Sequence, residues 1–186
     1  SGTAVAVAAG LAPAGIGSDT GGSVRIPAAF NGLVGLKVTF GRISLHGTGL
    51  LSWTLDSIGP LARSVEDCAE LLRVLAAPDA RDPATLAQPP LDLPAGFASD
   101  GLRHLRIALP DRAQLPAFMH PAAIEAWTGA AKLLEKLGAA VVPARLPDWY
   151  FDLARLTGAI IASEAFALHR NWIEDMTQPI GDAVRG

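Results

Sequence analysis

Ser23 follows two glycines in the stretch GIGSDTGGSVRIPAAFN (Gly15–Asn31), with Asp19 and Thr20 before them and Arg25 just beyond. A serine that attacks a carbonyl carbon needs an exposed hydroxyl on a tight turn. It also needs N–H groups free to hold the oxyanion that forms. Gly21 and Gly22 lack a Cβ, so the backbone there can take φ > 0 and approach a substrate closely. The apolar residues from Val24 to Phe30 fix such a turn against a core. These residue types point to nucleophilic acyl chemistry at Ser23. The plain structural reading of the same loop is a glycine-rich turn with a capping serine. A phosphate cradle is a third reading, but the spacing matches neither GxGxxG nor GxxxxGK[ST], and no lysine follows the glycines directly.

Other chemistry-bearing residues are sparse. His46, His104, His120 and His169 share no segment and no metal-ligand spacing, so neither metal nor other cofactor is expected. A Ser–His–Asp arrangement using Ser23 stays open, although no histidine lies in a motif. Cys68 is the sole cysteine, which rules out an internal disulfide, and SVEDCAELLRVL places it on an apolar helix face as a structural thiol. Asp56, in SWTLDSIGP, orders a substrate-side loop or stabilises a turn. Trp53 and Trp149 line a pocket or fill a core.

The sequence has 186 residues, half of them hydrophobic and 18% charged, with a net charge of -3. That balance suits a soluble globular enzyme with a sizeable core, and it argues against nucleic-acid binding as a main role. The Ala-rich opening, Ala4–Ala14, is too short for a bilayer span. No direct nucleic-acid contact and no membrane are expected among its partners. A homodimer is compatible, and the expected location is the cytoplasm.

The run GSDTGGSVRIPAAFNGLVGLK resembles the core of the amidase signature family, the Ser–cis-Ser–Lys amide hydrolases. The resemblance continues through FGRIS (Phe40–Ser44), LLSWTLDSIGPLARSVED (Leu50–Asp67) and PDARDP (Pro78–Pro83), and SGTAVAVAAGL (Ser1–Leu11) precedes it. It is dense over residues 1–83 and thin thereafter. It implies Ser23 as the acyl-accepting nucleophile and the backbone amides of Thr20, Gly21, Gly22 and Ser23 as the oxyanion hole. Asp19 and Arg25 then brace the loop, and Ser18 lies close to the other catalytic groups. The family's bridging serine falls just upstream of Ser1, and its catalytic lysine further upstream still. Ser1 matches the last serine of that upstream segment, and Lys37 matches a structural lysine. Lys132 and Lys136 lie in a charged, solvated helix. In the family a buried neutral lysine removes the serine proton through the second serine. The 186 residues alone are therefore expected to be inactive. Val38 replaces the usual proline and Asn31 a common cysteine; neither touches the nucleophile loop.

The implied reaction is hydrolysis of a linear carboxamide through a seryl acyl-enzyme, giving an acid and ammonia or an amine. One alternative is the glutaminase (A) subunit of a tRNA-dependent amidotransferase, although SWTLD is closer to stand-alone amidases. Another is a non-catalytic remnant or scaffold with the same fold.

These residues need positioning elements. Ser1–Leu11 reads as a small-residue helix stopped by Pro13, and AGIGS as a strand leading into the loop. Ile26–Phe30 reads as a short helix, and Leu33–Val38 and Gly41–Ser44 as strand pieces. Ser64 caps a helix with Asp67 at N3 and Cys68, Leu71, Leu72 and Leu75 on one side, ending near Pro78. Pro78–Gly101 reads as a long surface connection. Leu105–Leu109, Pro121–Leu137 and Ala140–Val142 form a strand–helix–strand unit with parallel pairing. Asp148–Trp172 is a long helix, or two with a break. The expected class is α/β: a mixed, largely parallel sheet core flanked by helices, the amidase-signature fold, incomplete at both ends. Within a partial amidase domain over 1–186, residues 1–83 are the signature core, 84–101 the connection, and 102–186 the strand–helix–strand and long helix.

Overall fold

A computed structural model describes residues 2–93 and 101–185. Ser1, Gly186 and residues 94–100, the last within the expected surface connection, lie outside the described residues. The chain divides into two units, one made of Ser1–Leu93 with Ala154–Gly186, the other of Pro94–Leu153.

The first unit opens with helix α1 (Gly2–Ala8), which buries Ala4 and Val7. It stops before Pro13. Gly10 adopts φ +73°, Leu11 N–H donates to Ala6 O and Gly10 N–H to Val7 O, the paired bonds of a left-handed helix end. Strand β1 (Ala14–Asp19) then delivers the chain to the glycine turn, and α2 (Arg25–Phe30) carries it away. Pro27 is tolerated because it lies in the first turn of α2, where its missing N–H costs nothing.

Strand β2 is only Val34–Gly35, and β3 is Ser57–Ala62. β3 is central in the order β1-β3-β2, and both pairings are antiparallel, from Ala14↔Ala62 to Asp19↔Ser57 on one side and Val34↔Ala62 and Gly35↔Leu61 on the other. The α/β class therefore holds, with the parallel character confined to the second unit. From β1 the chain passes through α2 and β2 before it returns along β3, antiparallel to both strands. No sequence pattern marks β3, because Gly59 and Pro60 in its middle read as turn residues. Pro60 fits because β2 pairs only at Leu61 and Ala62, so on that side Pro60 need supply only a carbonyl, which accepts Leu36 N–H at 3.0 Å. Gly41–Ser44 is not a strand, and Leu33–Val38 is one only at Val34–Gly35.

Ala4, Val24, Ala28 and Leu61 form one buried cluster between α1, α2 and β3. A second gathers Val38, Ile43 and Leu72 under α3 (Val65–Leu75). Ser64 caps α3 by accepting Asp67 N–H at 3.1 Å. Cys68 on α3 is buried, its Sγ 3.6 Å from Val34 O, and burial pushes its thiol above the ordinary value. A short helix, α4 (Pro83–Leu86), interrupts the expected connection. Its N-cap Asp82 accepts both Ala84 N–H and Leu45 N–H.

In the second unit, β4 (Arg106–Pro110) and β5 (Ala140–Ala144) pair in parallel around α5 (Pro121–Lys136). Ile124, Trp127, Ala131 and Leu134 are among the half-buried residues of α5, as their spacing requires. Helix α6 (Asp152–Glu174) is unbroken, and from Ala154 onward it belongs to the first unit. After it comes α7 (Asp182–Arg185), whose Arg185 guanidinium donates to the carbonyls of Ile173, Asp175, Gln178 and Ile180.

A Cβ at Gly59 would lie 2.0 Å from Leu36 O, whereas at Gly49 it would meet nothing within 4 Å. Gly59→Ala is expected to lower unfolding stability by about 2 kcal/mol or more, and Gly49→Ala to stay within about 0.5 kcal/mol. Urea denaturation of the two variants checks the pair; equal midpoints would refute the close approach of β3 to the Leu36 backbone.

Candidate active site

Strand β1 ends on Asp19, whose carboxylate is fully buried. Its Oδ1 accepts Gly22 N–H at 2.8 Å and its Oδ2 accepts Val24 N–H at 3.2 Å and Arg25 N–H at 3.4 Å. The Arg25 guanidinium adds a two-pronged contact, Nε and Nη2 each at 3.0 Å. One side chain thus bends the chain through the turn and seeds α2. Burial raises the Asp19 carboxyl, but hydrogen bonds from the Arg25 side chain and the Val24 N–H outweigh it and leave the group below its ordinary value. Arg25 is correspondingly raised, first by its bond to Asp19.

The turn presents Ser23 to solvent. Gly22 sits at φ +135°, a backbone conformation that requires glycine; a Cβ there would also fall 2.6 Å from Cδ1 of the exposed Ile26, which would have to move aside. Gly21 is not in the left-handed region; it is simply exposed. The expected oxyanion set is narrowed at one position. Gly22 N–H is already donated to Asp19, so it is not available to an oxyanion. Among the described residues nothing accepts the N–H of Gly21 or of Ser23.

Thr20 faces a second buried carboxylate. Its Oγ1 donates to Asp56 Oδ1 at 2.5 Å, while Asp56 Oδ2 accepts Leu51 N–H at 2.7 Å and Ser52 N–H at 3.1 Å. Ser18 is exposed and shares with Ser23 a depression of about 300 Å³, also lined by Thr3, Ala4, Gly17 and Pro27. Ser18 and Asp19 at the end of β1, Thr20–Ser23 in the turn and Arg25 at the start of α2 are thus gathered around one turn. Among the described residues no group accepts the Ser23 hydroxyl proton. Lys37 is spent locally, its Nζ donating to Val38 O at 3.1 Å.

Several residues at this site carry no signal in the sequence. Glu164, on α6, accepts Ser52 Oγ at 2.5 Å, Thr54 Oγ1 at 2.7 Å and Thr54 N–H at 3.1 Å. Burial raises its carboxyl, and the Ser52 and Thr54 hydrogen bonds bring it below the ordinary value. His169 Nε2 lies 2.7 Å from Leu50 O. Ile161 Cδ1 lies 3.6 Å from where a Gly21 Cβ would stand. These partners are more than a hundred residues apart in sequence, and no local pattern marks them. Trp53 and Trp149 are 44% and 60% exposed, so neither is core. Among the described residues no helix is long and apolar enough to cross a membrane.

Known proteins resemble this chain in sequence and in fold. A family model described as Amidase matches residues 1–183. The chain is 47% identical over 146 residues to the A subunit of the glutamyl-tRNA(Gln) amidotransferase of Lacticaseibacillus casei, a match covering 78% of this chain and 30% of that protein. The fold superposes on the native peptide amidase of Stenotrophomonas maltophilia with a TM-score of 0.74 and 38% identity, over 96% of this chain and 37% of that one. It also matches the A subunit of the glutamyl-tRNA(Gln) amidotransferase of Thermotoga maritima, with a TM-score of 0.76 and 32% identity over 98% of this chain and 38% of that one. The chain thus spans about 30% of the length of the curated relative from Lacticaseibacillus.

Asp19→Asn keeps the shape of the side chain but cannot accept all the donors that converge on it. The variant is expected to lose about 3 kcal/mol of stability by urea denaturation. The folded carboxyl titrates below its unfolded value. Its stabilisation is therefore complete above the unfolded carboxylate range and is lost as pH falls through the folded pKa. Wild-type stability measured against pH tests the sign: a decline attributable to Asp19 near neutrality, absent in Asp19→Asn, would refute it.

Proposed function

This chain belongs to the amidase family, and from that premise we propose that it is the nucleophile-bearing part of an enzyme that hydrolyses linear carboxamides through an acyl-enzyme. The observation that carries the reading is the exposed Ser23 hydroxyl on a turn whose Gly21 and Ser23 N–H groups are unengaged among the described residues. Asp19 meanwhile keeps Gly22, Val24 and Arg25 occupied, so the turn is rigid without using up its remaining donors.

In this reading Ser23 Oγ attacks the carboxamide carbon and its proton passes to a base. Charge collects on the carbonyl oxygen, which takes hydrogen bonds from the turn N–H groups. The C–N bond breaks as the nitrogen receives a proton, leaving ammonia or an amine and a Ser23 ester. Water then attacks the ester, releases the acid and returns the proton to Ser23. The base and acid are the bridging serine and lysine that the family resemblance requires. In this reading both lie upstream of Ser1, and the lining side chains of the Ser23 depression offer no substitute. Asp19 and Arg25 brace the turn and carry no proton. The substrate is a small-molecule amide met in the cytoplasm.

The 47% identity to the A subunit of an amidotransferase favours a second reading, in which the same Ser23 chemistry takes glutamine and hands ammonia to a partner protein. Ser23 plays one role in both.

Ser23→Ala in the whole protein is expected to cut amide turnover by about 10³-fold or more while leaving the melting temperature nearly unchanged. A fluorophosphonate probe should label Ser23, read by mass spectrometry, in the whole protein and not in the 186 residues alone. Substantial turnover by Ser23→Ala would overturn the assignment. Activity confined to glutamine and dependent on a co-purifying protein would select the second reading.

A further inference from the structure

We propose that Asp56 is a positioning residue of the oxyanion turn, acting through the Thr20 hydroxyl. The proposal rests on the amidase reading of Ser23. Asp19 holds only part of the turn. Its carboxylate grips the N–H groups of Gly22, Val24 and Arg25, the later half. The peptide plane joining Thr20 to Gly21 carries the free Gly21 N–H, and Asp19 does not touch it. Gly21 is exposed and has no side chain to hold that plane in place.

Thr20 supplies the missing hold. Its hydroxyl donates to Asp56 Oδ1 at 2.5 Å, from a carboxylate only 3% exposed. Asp56 is in turn fixed by the Leu51 and Ser52 N–H groups on its other oxygen. The 51–54 loop is anchored from α6, where Glu164 accepts both the Ser52 and the Thr54 hydroxyl. α6 closes the chain of contacts by placing Ile161 beside Gly21. Two buried carboxylates thus hold the two halves of the turn, and the one belonging to Asp56 sets where the Gly21 N–H points. A hydrogen bond to an oxyanion weakens steeply with misalignment, so loosening Thr20 lowers turnover more than substrate affinity.

The test uses the whole protein and the variants Asp56→Asn, Thr20→Val and their double. Turnover of a simple amide is measured with inhibition by a trifluoromethyl ketone, which forms a tetrahedral adduct. Each single variant is expected to lower kcat about 30-fold, below the loss for deleting an oxyanion donor outright, with KM nearly unchanged. Ketone affinity should fall by a similar factor, and the double variant should be no worse than the worse single one, as expected for groups acting through one contact. Thr20→Ser keeps the hydroxyl and should recover most of the loss. The proposal is overturned by unchanged kcat in Thr20→Val, by losses that multiply in the double variant, or by a rise in KM alone. Wild-type protein with neither turnover nor a Ser23 adduct would overturn the amidase reading itself, a result seen before any variant is made.

Discussion

The buried carboxylate of Asp19 organises everything around Ser23. A charge taken out of water is costly unless its oxygens are satisfied, and here three backbone N–H groups and the Arg25 guanidinium satisfy them. All those donors come from the six residues that follow, so the charge can be buried only if the chain turns back on itself at the glycines. The constraint runs upstream as well. β1 must end with Asp19 pointing inward, and the antiparallel register that pairs Asp19 with Ser57 holds it there, reinforced by the Ser57 hydroxyl donating to Asp19 O. Gly17 packs against Val24 and Leu61 on that inward face. Strand register, buried charge and the exposure of Ser23 are one connected requirement.

The same chemistry is used twice more at longer range. Asp56 gathers Thr20 with the 51–52 backbone, and Glu164 gathers Ser52 with Thr54. These carboxylates do what a hydrocarbon core does elsewhere in the molecule. Among the described residues α6 buries none of its own, and Glu164 and His169 tie it to the 50–54 loop through polar bonds. β1, β3 and α1 are joined by buried apolar packing. An element with few buried apolar contacts, held by hydrogen bonds near the surface, opens at lower cost than one locked by close apolar packing. The wall beside Gly21 is therefore the more adjustable side of the site.

Elements with strong local patterns are legible in the sequence. Ser64 and Asp67 announce α3, the spacing of Ile124, Trp127, Ala131 and Leu134 announces α5, and the strands around α5 announce their parallel pairing. The glycine turn is legible too, because Gly-Gly after a short strand permits the positive φ that Gly22 adopts. Where the local pattern misleads, a local preference has yielded to a neighbour. Gly59 and Pro60 look like a turn, yet both lie in the central strand because the Leu36 backbone comes too close to Gly59 for any side chain and uses only the Pro60 carbonyl. α1 closes at Gly10 rather than Pro13, since a left-handed glycine ends a helix as soon as it is reached.

The amino-acid sequence by itself marked the candidate nucleophile and the glycine turn that exposes it, because their chemistry is local, and the family resemblance added Asp19 as the residue that braces that turn. Only the tertiary structure decided which N–H groups of the turn stay free and which second carboxylate steadies it. Gly22 loses its N–H to Asp19 through a folded-back geometry. Thr20 meets Asp56 across 36 residues, and Ser52 meets Glu164 across 112. Hydrogen bonds are set by distance in space, and no periodicity along a chain encodes a contact between residues that only packing brings together.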